Sequence, residues 1–219
     1  MEWTTGENLS EQIARVLLAS LVSGQLVPGV TYSVPSLAEQ FGVSVMPVRE
    51  AMLTLVQQGL MTPVRNRGFR VVELTPRELD DILQLRLMLE VPGTVEAAGH
   101  VTDRTMRDLR RLAREIARHA RNGNLLDYIE ADRRFHGTLI ALAGNTRLAA
   151  IVDDLRARAR LTALDSLAEH GDLEGSAHEH LEILDAIAAG DEQRVRALMD
   201  RHIRHTRGIW AGLSEETRA

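Results

Sequence analysis

The sequence predicts a mainly α-helical protein in two parts: an N-terminal winged helix-turn-helix over residues 1–75, then an antiparallel, all-helical bundle of about six helices over residues 76–219. Two observations carry this reading. Residues 1–75 hold four of the six prolines and consist of short, Gly-punctuated segments, whereas beyond Pro76 the composition is almost unbroken helix former, rich in Ala, Leu, Arg, Glu and Asp. In the first part the apolar spacing reads helix, helix, turn, helix, hairpin; in the second it returns again and again to the helical period.

Taken in order, residues 10–23 read as a helix with Ile13, Val16, Leu17 and Leu21 on one side, stopped by Gly24 and Pro28-Gly29. Residues 36–41 form a short helix cut by Gly42. Ser44 is placed as the N-cap of a third helix, with Pro47 near its first turn and Val48, Met52, Leu55 and Val56 as its apolar face. Gly59 closes it. Two β-prone runs follow, residues 60–64 and 69–74, joined by Arg65-Asn66-Arg67-Gly68, whose Asn and Gly suit a tight turn. In the second part the helices are expected over 77–99, 103–121, 124–143, 147–169, 174–189 and 191–212. Gly123, Gly144, Gly171 and Gly190 fall at the junctions, where left-handed caps are expected. Pro92-Gly93 is expected to kink the first of these helices rather than end it. Short connections predict antiparallel neighbours.

Composition removes several classes. There is no cysteine, which excludes a disulfide scaffold, a thiol nucleophile and Cys-ligated metal. No apolar run approaches the roughly 18 residues of a membrane span, and MEWTTGENLSEQ has neither a basic nor an apolar leader region. A cytoplasmic protein is expected. The net charge of −5 argues against a chain that coats nucleic acid along its whole surface, but it conceals a local patch. Between residues 44 and 70 there are four Arg (49, 65, 67 and 70) and one acid, Glu50.

That patch coincides with the elements that could read double-stranded DNA. Ser44 and Arg49 lie in the first turns of the third helix, where side chains of a recognition helix meet base edges and an Arg can bridge guanine O6 and N7. Arg65, Asn66, Arg67 and Gly68 occupy a hairpin tip placed for a minor groove or its phosphates. The competing reading, solvated surface arginines, explains the charges but not their order along the fold.

The runs Gly24-Gln25-Leu26-Val27-Pro28-Gly29, Leu37-Ala38-Glu39-Gln40-Phe41-Gly42-Val43-Ser44, Pro47-Val48-Arg49-Glu50-Ala51 and Arg67-Gly68-Phe69-Arg70-Val71 together resemble the GntR family of bacterial transcription regulators across the whole first part. The resemblance implies a homodimeric, operator-binding repressor or activator. One departure stands out: the family usually has Arg-Thr where this chain has Val45-Met46, which alters the expected operator consensus.

In the second part, ionisable residues interrupt apolar stripes. Asp132 and His136 lie on the line Leu125, Ile129, Asp132, His136, Leu139, Ala143; His180 lies with Ala177, Leu184 and Ile187; His202 lies with Val195, Leu198, Met199 and Thr206. Burying such groups unpaired costs several kcal/mol, and a divalent metal held by three imidazoles and a carboxylate satisfies all four. The alternative is a buried Asp–His pair with unrelated histidines. His178 and His205 flank the stripes and are expected to be exposed; His100, His119 and His170 sit near helix ends. Arg86 lies on the line Leu79, Ile82, Arg86, Glu90, where an Arg86–Glu90 pair is the simple explanation.

Asp132-Arg133-Arg134-Phe135-His136, Gly144-Asn145, the run from Glu179 to Ile187, Gly190-Asp191 and His202 resemble the FCD effector domain of the FadR subfamily, six helices being closer to its VanR-type branch. The resemblance implies that Asp132, His136, His180 and His202 hold a divalent metal, often zinc, with nickel and manganese as alternatives. It further implies that Arg86, in Arg86-Leu87-Met88-Leu89-Glu90, meets a small organic-acid effector; Asn145 reads first as a helix N-cap. The function expected is a ligand-responsive, sequence-specific regulator, in particular a repressor. A metal sensor is the second reading. A metal-dependent hydrolase is the third, for which no second carboxylate motif offers a base.

Overall fold

The computed structural model describes residues 8–22, 25–161 and 173–210. Apolar residues at helical spacing assemble the first unit: α1 (Leu9–Val22), α2 (Val34–Phe41) and α3 (Val45–Gln57) bury Ile13, Leu17, Val48, Met52 and Leu55 between them. An antiparallel sheet in the order β1-β3-β2 closes the unit, made of β1 (Thr31–Tyr32), β2 (Met61–Val64) and β3 (Gly68–Val71). Tyr32 pairs with Phe69, and Val64 with Gly68 across the hairpin. Asn66 takes a left-handed conformation (φ 58°) at the tip. Gly68 is sterically required: at φ +120° a Cβ would lie 2.1 Å from the Tyr32 carbonyl oxygen.

The second helix, the Ser44 cap and the last strand differ from the expectation. The second helix begins at Val34, capped by Ser33, whose hydroxyl accepts from the Ser36 N–H at 3.2 Å. Ser44 is the N-cap of α3 but its side chain makes no cap hydrogen bond. The last strand stops at Val71. β1 was not expected, because two residues carry no periodicity.

Six further helices follow among the described residues: α4 (Pro76–Ala98), α5 (Asp103–Arg121), α6 (Leu125–Ala141), α7 (Thr146–Leu161), α8 (Leu173–Ala188) and α9 (Glu192–Trp210). Their starts are written in local chemistry. Thr75 and Glu78 form a reciprocal capping box at α4, and the Asn145 side chain accepts from the Arg147 and Leu148 N–H groups at α7. Gly123, Gly144 and Gly190 have the expected positive φ. α4 continues through Pro92, and Gly93 lets it approach α6 and α7 closely: a Cβ there would lie 2.6 Å from Ile140 Cδ1. α5 packs on α6 and α8, and α9 on α4 and α8. Gly59, between α3 and β2, rests on Asp154 and Arg158 of α7, so the two units touch through that helix. No described helix is long and apolar enough to cross a membrane. The expected helix over 162–169, Gly171, His170, residues 211–212, Ser23, Gly24 and the Thr206 side chain lie outside the described residues.

Candidate metal centre and nucleic-acid interface

α6 supplies Asp132 and His136 one turn apart, α8 supplies His180 and α9 supplies His202, all buried. One ligand atom from each lies within 4.8 Å of every other. His136 Nε2 is 3.1 Å from His180 Nε2 and 3.2 Å from His202 Nε2, and His180 Nε2 is 3.2 Å from Asp132 Oδ1. Phe135 makes T-shaped contacts with the His136 and His180 rings.

The partners of the far ring nitrogens decide what this centre is. His180 Nδ1–H donates to the Ser176 carbonyl at 3.0 Å, and His202 Nδ1–H donates to Glu179 Oε2 at 2.8 Å. In the tautomer that those bonds select, Nδ1 carries the proton and Nε2 of each ring the lone pair. Burial and the positive charge of Arg156 hold His136 well below the usual imidazole range, and burial, outweighing the Glu179 hydrogen bond, lowers His202 to about 4. Burial opposes ionisation of Asp132, but Arg156 and the two imidazoles outweigh it and hold the carboxyl well below its usual range. Lone pairs and an anionic oxygen therefore converge on one point. The single N–H that His136 Nε2 can offer satisfies one of them; a cation satisfies all. The donor set, three imidazoles and one carboxylate, fits a divalent metal ion.

Two groups that sequence reasoning missed support this centre. Arg156 on α7, 5% exposed, donates to Asp132 Oδ2 at 2.9 Å and to Glu90 Oε2 at 2.7 Å. Its signal was present, since Val152, Arg156 and Ala159 share a helical line, but it lay in an Arg-rich run. Glu179, held at about 2 because the His202 and His205 hydrogen bonds overcome its burial, orients His202 from behind. His205, expected to be exposed, is instead half-buried and bonded to Glu179 at 3.0 Å; it belongs to this outer layer. His178 is exposed as expected.

Arg86 is buried, 4% exposed, and its Nε donates to Glu90. The pair is thus not a surface contact. Arg86, Glu90, Arg156 and Asp132 form one line of alternating charge from α4 to the cluster.

The second candidate site lies on the first unit. Arg49 of α3 and Arg65, Asn66, Arg67 and Gly68 of the hairpin line one groove of about 520 Å³, with Ser33 at its edge. Arg49, Arg65, Asn66 and Arg67 are exposed; Ser44 is exposed at the start of α3, and Gly68 is half-buried against the Tyr32 backbone.

Comparison with known proteins gives this geometry a family. Residues 9–71 match the bacterial regulatory proteins of the gntR family, and residues 81–205, more than half of the chain, match the FCD domain. The chain belongs to the GntR family. It is a GntR regulator of the FadR subfamily, with an FCD domain behind a DNA-binding helix-turn-helix, and not an enzyme. McbR of Escherichia coli K12, an HTH-type transcriptional regulator, is 31% identical over 128 residues, 58% of either chain. RspR of the same strain, an HTH-type transcriptional repressor, is 25% identical over 198 residues, 89% of this chain and 86% of that one. The solved structure of E. coli McbR/YncC superposes with a TM-score of 0.74 at 26% identity, covering 93% of this GntR chain and 97% of that chain. The structure of Lar, described as controlling the Listeria monocytogenes agr system, shares the fold with a TM-score of 0.65 at 21% identity, covering 98% of this chain and 100% of that one.

Proposed function

We propose that this GntR regulator is a homodimeric, cytoplasmic repressor that binds operator DNA through α3 and the hairpin and releases it when a small carboxylate enters the FCD bundle. Asp132, His136, His180 and His202 hold a divalent metal, zinc by donor type, with nickel and manganese as alternatives. The observation that carries the reading is the convergence of the three Nε2 atoms and Asp132 Oδ1.

Charge explains why the effector is an anion. Arg86, Arg156, Glu90 and Asp132 balance one another, two positive against two negative, and the nearby Glu179 is itself paired with Arg201 at 3.4 Å. A bound divalent cation leaves net positive charge in a buried, low-dielectric centre, which a carboxylate offsets. The metal supplies Lewis acidity toward one carboxylate oxygen. Arg86 supplies the guanidinium for the remainder of the effector, exchanging Glu90 for it. Any change in Glu90 pairing reaches Arg156 and hence α7, the helix on which Gly59 of the DNA-binding unit rests. That contact is the route from effector to operator affinity.

The test is operator binding by the full chain against a series of small carboxylates, with zinc and after chelation. Release by one carboxylate in the zinc-loaded protein, absent in Arg86→Ala, is the expected result. Release by zinc itself, with no carboxylate active, replaces this reading with metal sensing.

A further inference from the structure

α3 faces solvent with apolar side chains where a DNA-reading helix meets base edges. Val45 is 44% exposed and Met46 64% exposed, the latter the highest value among the described large hydrophobic residues. Neither is needed for anchorage, because Val48, Ala51, Met52 and Leu55 already bury the opposite face completely. At about 100° per residue, Met46, Arg49, Glu50 and Leu53 fall on one outward face, with Val45 beside Arg49. Arg65, Arg67 and Arg70 stand on the neighbouring hairpin, so the surroundings are charged for a polyanion.

Within a major groove the apolar feature presented by an unmodified base pair is the C5-methyl group of thymine. An exposed methionine set one turn from a guanine-reading arginine matches that methyl in character and position. We propose that Val45 and Met46 are specificity-determining residues that read thymine methyl groups beside a guanine taken by Arg49. This rests on the assignment of α3 as the recognition helix. It predicts a half-site in which the guanine is flanked by thymine.

The test uses the full chain, with and without zinc, to select sites from randomised duplexes. Each thymine of the selected duplex is then replaced singly by uracil, which removes the methyl and nothing else. One or two uracils beside the guanine should each weaken binding about fourfold, the effect of one buried methyl. Met46→Ala, at a position exposed enough to leave the melting temperature unchanged, should bind thymine and uracil duplexes alike at that position, and Met46→Leu should keep the discrimination. A selected site insensitive to every uracil, or a sensitivity that survives in the Val45→Ala, Met46→Ala double variant, overturns the inference and leaves DNA binding standing. A pool that never converges overturns the recognition-helix assignment, and the inference with it.

Discussion

Asp132, His136, His180 and His202 each occupy a helix position where the period demands an apolar side chain, and that is what made them legible in the sequence. Their supports were harder to read. Arg156 sits among Arg147, Arg158 and Arg160, and only tertiary packing shows that its partners are Glu90 of α4 and Asp132 of α6. Removing it leaves both carboxylates buried with fewer partners, so Arg156→Ala should destabilise the metal-free protein by about 3 kcal/mol in urea unfolding. The loss should shrink once metal holds Asp132. An equal loss in both states would show that Asp132 does not face the ion. Glu179 is the carboxylate behind His202, and Glu179→Gln should weaken metal binding about 10- to 100-fold; because its lowered pKa is stability present at neutral pH, the metal-free protein should lose stability as well. Competition against a chelating dye measures the binding; unchanged affinity would remove Glu179 from the site.

At the scale of elements, capping chemistry and glycine placement set most boundaries, as the Thr75–Glu78 box and the Asn145 cap do for α4 and α7. What failed to show was either too short or decided by contact. β1 is two residues, recruited only because β3 offers Phe69 and Arg70 as partners. His205 looked like a flank residue until Glu179 came to meet it. In the proposed interface α3 reads sequence and the hairpin holds phosphates. Arg49→Ala should lose about 1–3 kcal/mol on the operator and relax its sequence preference. Arg65→Ala and Arg67→Ala should weaken binding to all sequences, each lowering the salt slope by about one. Titrations of operator and random duplex over a salt range separate the two. A sequence-selective loss from the hairpin variants would reverse this division.

At the scale of the molecule, one winged unit covers too little DNA for operator specificity, and two copies at a helical-turn spacing are the usual remedy. Sedimentation at micromolar concentration should therefore give a dimer without DNA; a monomer with and without DNA would contradict it. The family was readable from the sequence because its motifs are local, while the line Arg86–Glu90–Arg156–Asp132, which joins α4, α6 and α7, exists only in the folded bundle. The central claim is that this bundle is built around a metal ion. Elemental analysis of the purified chain, with melting curves for wild type and His180→Ala, tests it most directly. Wild type should carry about one zinc, nickel or manganese ion per chain and melt lower after chelation, while His180→Ala should bind little metal and be insensitive to the chelator. A wild type without stoichiometric metal, whose melting the chelator does not change, would contradict the account.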